Sequence, residues 1–150
     1  MPDPAYHYAL IIPAWNEAAF IEAALVCAHG AMQSVAATGQ LIVVDNNSTD
    51  NTAAVAAAGG ATVVFEPINQ ISRARNAGAN TADAAVYVFV DADSNITGEL
   101  LQRALDLLAD DTVVGGGALV APDRPVPRTI KLMMGPVSYT HLTLPTTPYV

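Results

Sequence analysis

The chain has 150 residues, 52% of them hydrophobic, with 6 Lys plus Arg against 14 Asp plus Glu and a formal charge of −8. That length is one ordinary domain or a piece of a larger one, and the acidic balance excludes non-specific binding to nucleic acid or to an anionic membrane, which requires a basic patch. The single cysteine, Cys27, excludes an internal disulfide. The N-terminal Met-Pro-Asp-Pro-Ala lacks the basic and apolar regions of a signal peptide, and no apolar run has the length that spans a bilayer. The expectation is a soluble, cytoplasmic protein.

In chain order, residues 8–13 (Tyr-Ala-Leu-Ile-Ile-Pro) read as a short buried strand ended by proline, and Ala14, Trp15, Asn16 and Glu17 as the turn after it. Apolar residues at helical spacing from Ala18 to about Ala37, among them Phe20, Ile21 and Leu25, predict a helix with a break at Gly30 and a stop at Gly39. Leu41-Ile-Val-Val-Asp45 is a second apolar strand, ending in an acid. In Asn46-Asn-Ser-Thr-Asp50, Ser48 or Thr49 is placed to cap the next helix and Asp50 to serve as its first-turn acid. The Ala-rich run to Ala58 is helical by propensity, and Gly59-Gly60 ends it. Residues 62–65 form a third strand, and residues 72–81 a helix that opens with Arg73 and Arg75. Thr97 caps a helix with Leu100, Leu101, Ala104, Leu105 and Leu108 on one face, and residues 112–120 read as a further strand interrupted by three glycines.

The fourth strand lies between those last two helices. Val86-Tyr-Val-Phe-Val runs straight into Asp91, Ala92, Asp93 and Ser94. An unbroken run of Val, Tyr and Phe reads as a strand buried on both faces. If the extended geometry persists, Asp91 and Asp93 point to the same side. Two carboxylates that close repel unless a cation or proton lies between them, and a hard divalent ion held by carboxylates and phosphate oxygens is the usual solution.

Strand alternates with helix throughout. The fold class expected is therefore α/β: a Rossmann-like, mostly parallel sheet with helices on both faces and right-handed crossovers. Pro13, Asp45, Glu66 and Asp91 then share one edge of the sheet, where polar residues collect while the helices stay plain. That concentration points to a site.

Four stretches carry a resemblance: Ile11-Ile-Pro-Ala-Trp-Asn-Glu17, Val43-Val-Asp-Asn-Asn-Ser-Thr-Asp50, Ala74-Arg-Asn-Ala-Gly78 and Phe89-Val-Asp-Ala-Asp93. In order and spacing they resemble family 2 glycosyltransferases, over residues 8–120. The resemblance implies a GT-A type fold, here incomplete, and a sugar donor linked to UDP or GDP. It implies that Pro13, Ala14, Trp15, Asn16 and Glu17 close over base and ribose. By the same resemblance Asp45 accepts a base N–H and Arg75 lies near base or diphosphate. Asp91, with Ala92 beside it, meets ribose or a metal-bound water, and Asp93 ligates Mg2+ or Mn2+. Trp15, where the family often has Tyr, is either a packing wall or a stacking platform. His7 and His29 match no metal-ligand spacing.

An inverting transfer needs a base for the acceptor hydroxyl. In the family a later carboxylate motif supplies it, but the only acid after Val120 is Asp123, in a proline-bounded loop, and the catalytic base is left unassigned. Val137-Ser-Tyr-Thr-His-Leu-Thr-Leu-Pro-Thr146 fits the in-frame translation of a transposase adapter used in sequencing libraries. Residues 1–136 are accordingly expected to be the nucleotide-sugar-binding part of a longer enzyme, inactive alone, and residues 137–150 a non-native tail packing against nothing specific. The acceptor is not readable, and membrane association would come only through a missing C-terminal part. A nucleotidyltransferase is the alternative enzyme, disfavoured because Ala14 to Glu17 is no Gly-rich basic phosphate loop. A non-catalytic nucleotide-binding module is the other alternative.

Overall fold

β1 (Tyr6–Ala14) is the strand on which the sheet is built, with β2 (Gly39–Asp45) on one side and β4 (Ala84–Phe89) on the other. This is a computed structural model, and it describes residues 3–110, 112–118 and 142–143. β3 (Thr62–Phe65) completes a four-stranded sheet of order β3-β2-β1-β4 in which every pair is parallel. The connections are α1 (Ile21–Ser34), α2 (Thr52–Ala58) and α3 (Ile71–Thr81), and α4 (Gly98–Leu108) follows β4.

The two faces of the sheet are read from a period of two along its strands. Tyr8, Leu10, Ile12, Leu41, Val43 and Val88 face one core, which α1, α2 and α4 cover with Ile21, Leu25, Ala56 and Leu101. Ala9, Ile11, Ile42, Val44 and Phe89 face the other, covered by Ala74 of α3. Helices on both faces explain why the strands are apolar without interruption. Each fully buried Leu or Ile here contributes about 1.5–3 kcal/mol through burial, so these strands dominate the stability of the domain.

Gly78 lets α3 approach its face closely. A Cβ there would lie 2.5 Å from Ile11 Cγ2 and 3.0 Å from Val44 Cγ2. The Ala74–Gly78 motif is thus partly a packing device: Ala74 is fully buried and Gly78 removes the last side chain between helix and sheet.

Several elements differ from the sequence reading. β1 runs through Pro13 to Ala14. α1 starts at Ile21, not Ala18, and Gly30 lies inside it without breaking it. The β2–α2 turn is not capped by Ser48 or Thr49; the helix carries no side-chain cap at Asn51, and Asp50 Oδ1 instead accepts from Thr52 N–H at 2.9 Å. Thr97 does cap α4, accepting from Leu100 N–H at 3.2 Å. Of the strand expected over residues 112–120, the described residues hold only β5 (Gly115–Gly116), which has no side chains to pack and lies outside the main sheet. β5 pairs antiparallel with β6 (Leu142–Thr143). Two residues of the segment expected to pack against nothing therefore have a backbone partner. The remainder of that segment lies outside the described residues, as does Asp123.

Candidate functional site

Strand order sets where a ligand fits. Going along β3-β2-β1 and then to β4, the order reverses between β1 and β4: α1, which leaves β1, covers one face and α3, which leads into β4, covers the other, and a crevice opens between the carboxyl ends of these two strands. An open cleft of about 440 Å³ lies there. Pro13, Ala14, Trp15 and Glu17 line it from the end of β1, Asn46 from β2, Asn69, Ile71 and Arg75 from the start of α3, and Asp91, Ala92 and Asp93 from the end of β4. Of the residues foreseen for the site, eight converge on the cleft: Pro13, Ala14, Trp15, Glu17, Arg75, Asp91, Ala92 and Asp93.

β4 stops at Phe89, although Val90 N–H still donates to Ile11 O at 3.0 Å. The chain then turns, with Ser94 N–H on Asp91 O at 2.9 Å. Extended geometry thus does not continue to Asp93. Both carboxylates line the cleft because the turn carries them there. Arg75 answers one of them: its Nη2 lies 3.2 Å from Asp91 Oδ1, and its guanidinium carbon is 5.8 Å from the centre of the Phe89 ring. Both members of the pair are partly exposed, so the pair itself adds at most about 1 kcal/mol. Arg75 Nε, in contrast, is buried with no hydrogen-bond partner among the described residues. Such an orphaned donor costs free energy unless something accepts from it.

Glu17 faces the acids. Burial pushes its carboxyl above the ordinary glutamate value, and the charges of Asp93 and Asp50 push it the same way. The cleft therefore combines uncompensated negative charge near Asp93 with a positive donor at Arg75. Trp15 is 52% exposed at the rim, which fits a platform open to a ligand better than a packing wall.

Asn16 and Asp45 do not line the cleft. Asn16 adopts a left-handed backbone, φ 55°, and ties two loops together. Its N–H donates to Ser48 Oγ at 2.9 Å and its Oδ1 accepts from Thr49 N–H at 2.8 Å. Glu17 N–H on Thr52 Oγ1 and Ala18 N–H on Asp50 Oδ2 extend the same strut. Asp45 is buried, and its Oδ1 accepts from Ser48 N–H at 3.0 Å. It shapes the turn that brings Asn46 to the cleft.

Among the described residues no group of three or more His, Cys, Asp or Glu side chains is arranged to hold a metal ion. Asp91 and Asp93 still fit a hard divalent ion in part: they offer carboxylate oxygens, and a cation would relieve the repulsion that Glu17 feels from Asp93. Further ligands must come from water or from a bound anion, the usual arrangement for Mg2+.

Asn46, Asn69 and Ile71 line the cleft without having been singled out in the sequence, and Arg73 had been given no partner there. Glu66 Oε1 accepts from Ile68 N–H and lies 3.0 Å from Arg73 Nε, and these contacts, the first foremost, hold the Glu66 carboxyl below its ordinary range. No sequence signal marked Asn46: its burial, which obliges the amide to find partners, is a property of the fold.

The chain matches the sequence model described as Glycosyl transferase family 2 over residues 9–147, a span that includes most of the segment after residue 136. Among solved structures it is similar to a mannosyltransferase from Pyrobaculum calidifontis in complex with GDP-Man and Mn2+, with 27% identity and a TM-score of 0.68 over 81% of this chain and 38% of that one. It also resembles glucosyl-3-phosphoglycerate synthase from Mycobacterium tuberculosis in complex with Mn2+, UDP and glucosyl-3-phosphoglycerate, at 22% identity and a TM-score of 0.70 over 93% of this chain and 57% of that one. TarS 1–349 from S. aureus in complex with UDP-GlcNAc shares the fold at 20% identity and a TM-score of 0.60, over 81% of this chain and 37% of its own. This chain thus spans from about a third to somewhat over half of these proteins. Among curated proteins no sequence matches it. No helix among the described residues is long and apolar enough to cross a membrane.

Proposed function

This chain belongs to glycosyl transferase family 2, and from that premise we propose that the cleft between β1 and β4 binds the nucleoside diphosphate part of a UDP- or GDP-linked sugar donor in a metal-dependent, inverting transfer. The observation that carries the reading is the meeting of Asp91, Asp93 and Arg75 where the order of the described strands reverses.

The roles follow from what each group is able to do. Among the described residues nothing accepts from the buried Nε–H of Arg75, and a diphosphate oxygen would supply an acceptor with charge assistance. Asp93, with Asp91, would hold Mg2+ or Mn2+, whose Lewis acidity stabilises the charge that gathers on the departing diphosphate. Trp15 on the rim offers a face for the base. Asp45 has only Oδ2 left for a base N–H, because Oδ1 is taken by Ser48. In the transfer the acceptor oxygen bonds to the anomeric carbon, the bond from that carbon to the diphosphate oxygen breaks, and the acceptor proton passes to a base. No described residue is assigned as that base, and the chain by itself is proposed to bind donor without transferring sugar efficiently. In the same proposal the protein works in the cytoplasm.

Calorimetric titration of the 150-residue chain with UDP and with GDP, in Mn2+ and in chelator, tests this. Binding of at least one nucleotide that weakens about tenfold or more without metal is expected, since the acidic cleft repels an uncompensated diphosphate. Absence of binding by either nucleotide, or equal binding in chelator, would overturn the reading.

A further inference from the structure

Arg75 points into the cleft because α3 begins where it does, and nothing in α3 itself fixes that beginning. Its N-cap, Gln70, has an extended backbone and makes no side-chain cap. The tie comes from Asn46, at the end of β2. Asn46 is 4% exposed, and its own N–H donates to Ala14 O at 2.8 Å, which anchors it to β1. Its Oδ1 accepts from Gln70 N–H at 2.9 Å. Its Nδ2 donates to Ile68 O at 2.6 Å and to Glu66 O at 3.3 Å. One amide thus satisfies three backbone groups of residues 66–70. The same segment is braced from outside by the Glu66 carboxylate, which holds Ile68 N–H and Arg73 Nε. The orientation of the amide is determined: turned over, its oxygen would face two carbonyls and its NH2 would face an N–H.

We propose that Asn46 is a positioning residue that sets the first turn of α3, and through it the place of Arg75 and Ile71 in the cleft. The effect on ligand rests on the nucleotide-binding reading above; the effect on the segment does not. With both amide hydrogens in use, Asn46 offers a ligand no side-chain donor, and its proposed contribution to binding is made through α3.

Asn46→Ala tests the proposal through two readouts on the full 150-residue chain. The first is main-chain amide exchange without nucleotide. Gln70 N–H should exchange about tenfold faster or more once its acceptor is gone, while Ile42, Val43 and Val44 of β2 stay protected. The second is affinity for UDP and GDP in Mn2+, which should fall about tenfold for whichever the parent chain binds. Thr97→Ala is the control: it deletes a helix-start contact on α4, away from the cleft, and should weaken the fold without changing nucleotide affinity. Unchanged Gln70 exchange overturns the proposal, and so does faster exchange with unchanged affinity. An equal loss of affinity in Thr97→Ala also overturns it, by making the effect one of general stability. If the parent binds neither nucleotide, the functional reading falls, and the exchange result alone decides for or against the positioning role. Should Asn46→Ala not fold, Glu66→Ala removes the acceptor of Ile68 N–H in the same segment and is read at that amide by the same criteria.

Discussion

Asp45 and Asn46 are neighbours at the end of β2, yet the fold uses them differently. Asp45 turns inward and holds Ser48 N–H, while Asn46 lines the cleft and spans to residues 66–70. One substitution separates the two uses open to Asp45. Asp45→Asn keeps an acceptor for Ser48 and removes the second carboxylate oxygen; if that oxygen meets a base N–H, nucleotide affinity should fall by an amount worth about 1.5–3 kcal/mol with little change in stability. Equal affinities for parent and Asp45→Asn would assign Asp45 to the turn alone. Glu17 gives a prediction in pH. Its folded carboxyl titrates above its unfolded value, so the folded chain holds the proton to higher pH, and stability falls as pH rises through that interval. Glu17→Gln should therefore raise Tm at neutral pH, and the gain should disappear below the ordinary glutamate range. A gain that persists in acid would place its origin in packing instead of charge. At this scale the carboxylates were legible because they interrupt an apolar run. Asn46 was not, because its partners are 20 to 24 residues away and any polar residue suits a turn.

The elements follow their apolar patterns, and their starting points follow contacts that the patterns do not encode. Unbroken apolar runs of four residues or more mark β1, β2 and β4 because both faces of the sheet are covered. α1 starts late because Glu17 and Ala18 give their N–H groups to Thr52 and Asp50 of the neighbouring loop. The start of α3 is likewise set from outside the helix. Close packing of α3 yields a stability prediction. Gly78→Ala gains about 1 kcal/mol in helix propensity but forces a methyl to 2.5 Å from Ile11 Cγ2, and overpacking of a close-packed core costs about 1–3 kcal/mol. The contact is with two β-branched side chains held in the sheet, so overpacking should win and the urea midpoint should fall. A midpoint at or above that of the parent would mean that α3 moves away from the sheet without penalty. The strand read over residues 112–120 had the composition for a sheet only at its ends. Its glycines carry no side chain to bury, and β5 is two residues long.

For the whole molecule, alternation of strand and helix indicated a parallel sheet, but not the order of its strands. The order β3-β2-β1-β4 comes from crossovers that change direction after β3, and sequence periodicity does not record direction. The cleft is a property of that order, which is why the edge of the sheet that carries its acids was legible and its place between β1 and β4 was not. Residues 137–150 are proposed to be a non-native tail. Their described part is a two-residue ladder on Gly115–Gly116 that lies beside β4, against the expectation that it packs on nothing, yet it is short enough that deleting residues 137–150 should lower stability by no more than about 2 kcal/mol. A larger loss in urea unfolding would put the segment inside the fold. The central claim, that a cation and a diphosphate meet between Asp91, Asp93 and Arg75, is tested most directly by Mn2+ paramagnetic broadening of amide signals, with and without UDP or GDP. No three-ligand group exists among the described residues, so broadening should centre on residues 91–93, sharpen in position and appear at lower Mn2+ when nucleotide is present. Broadening centred elsewhere, or identical with and without nucleotide, would contradict the claim.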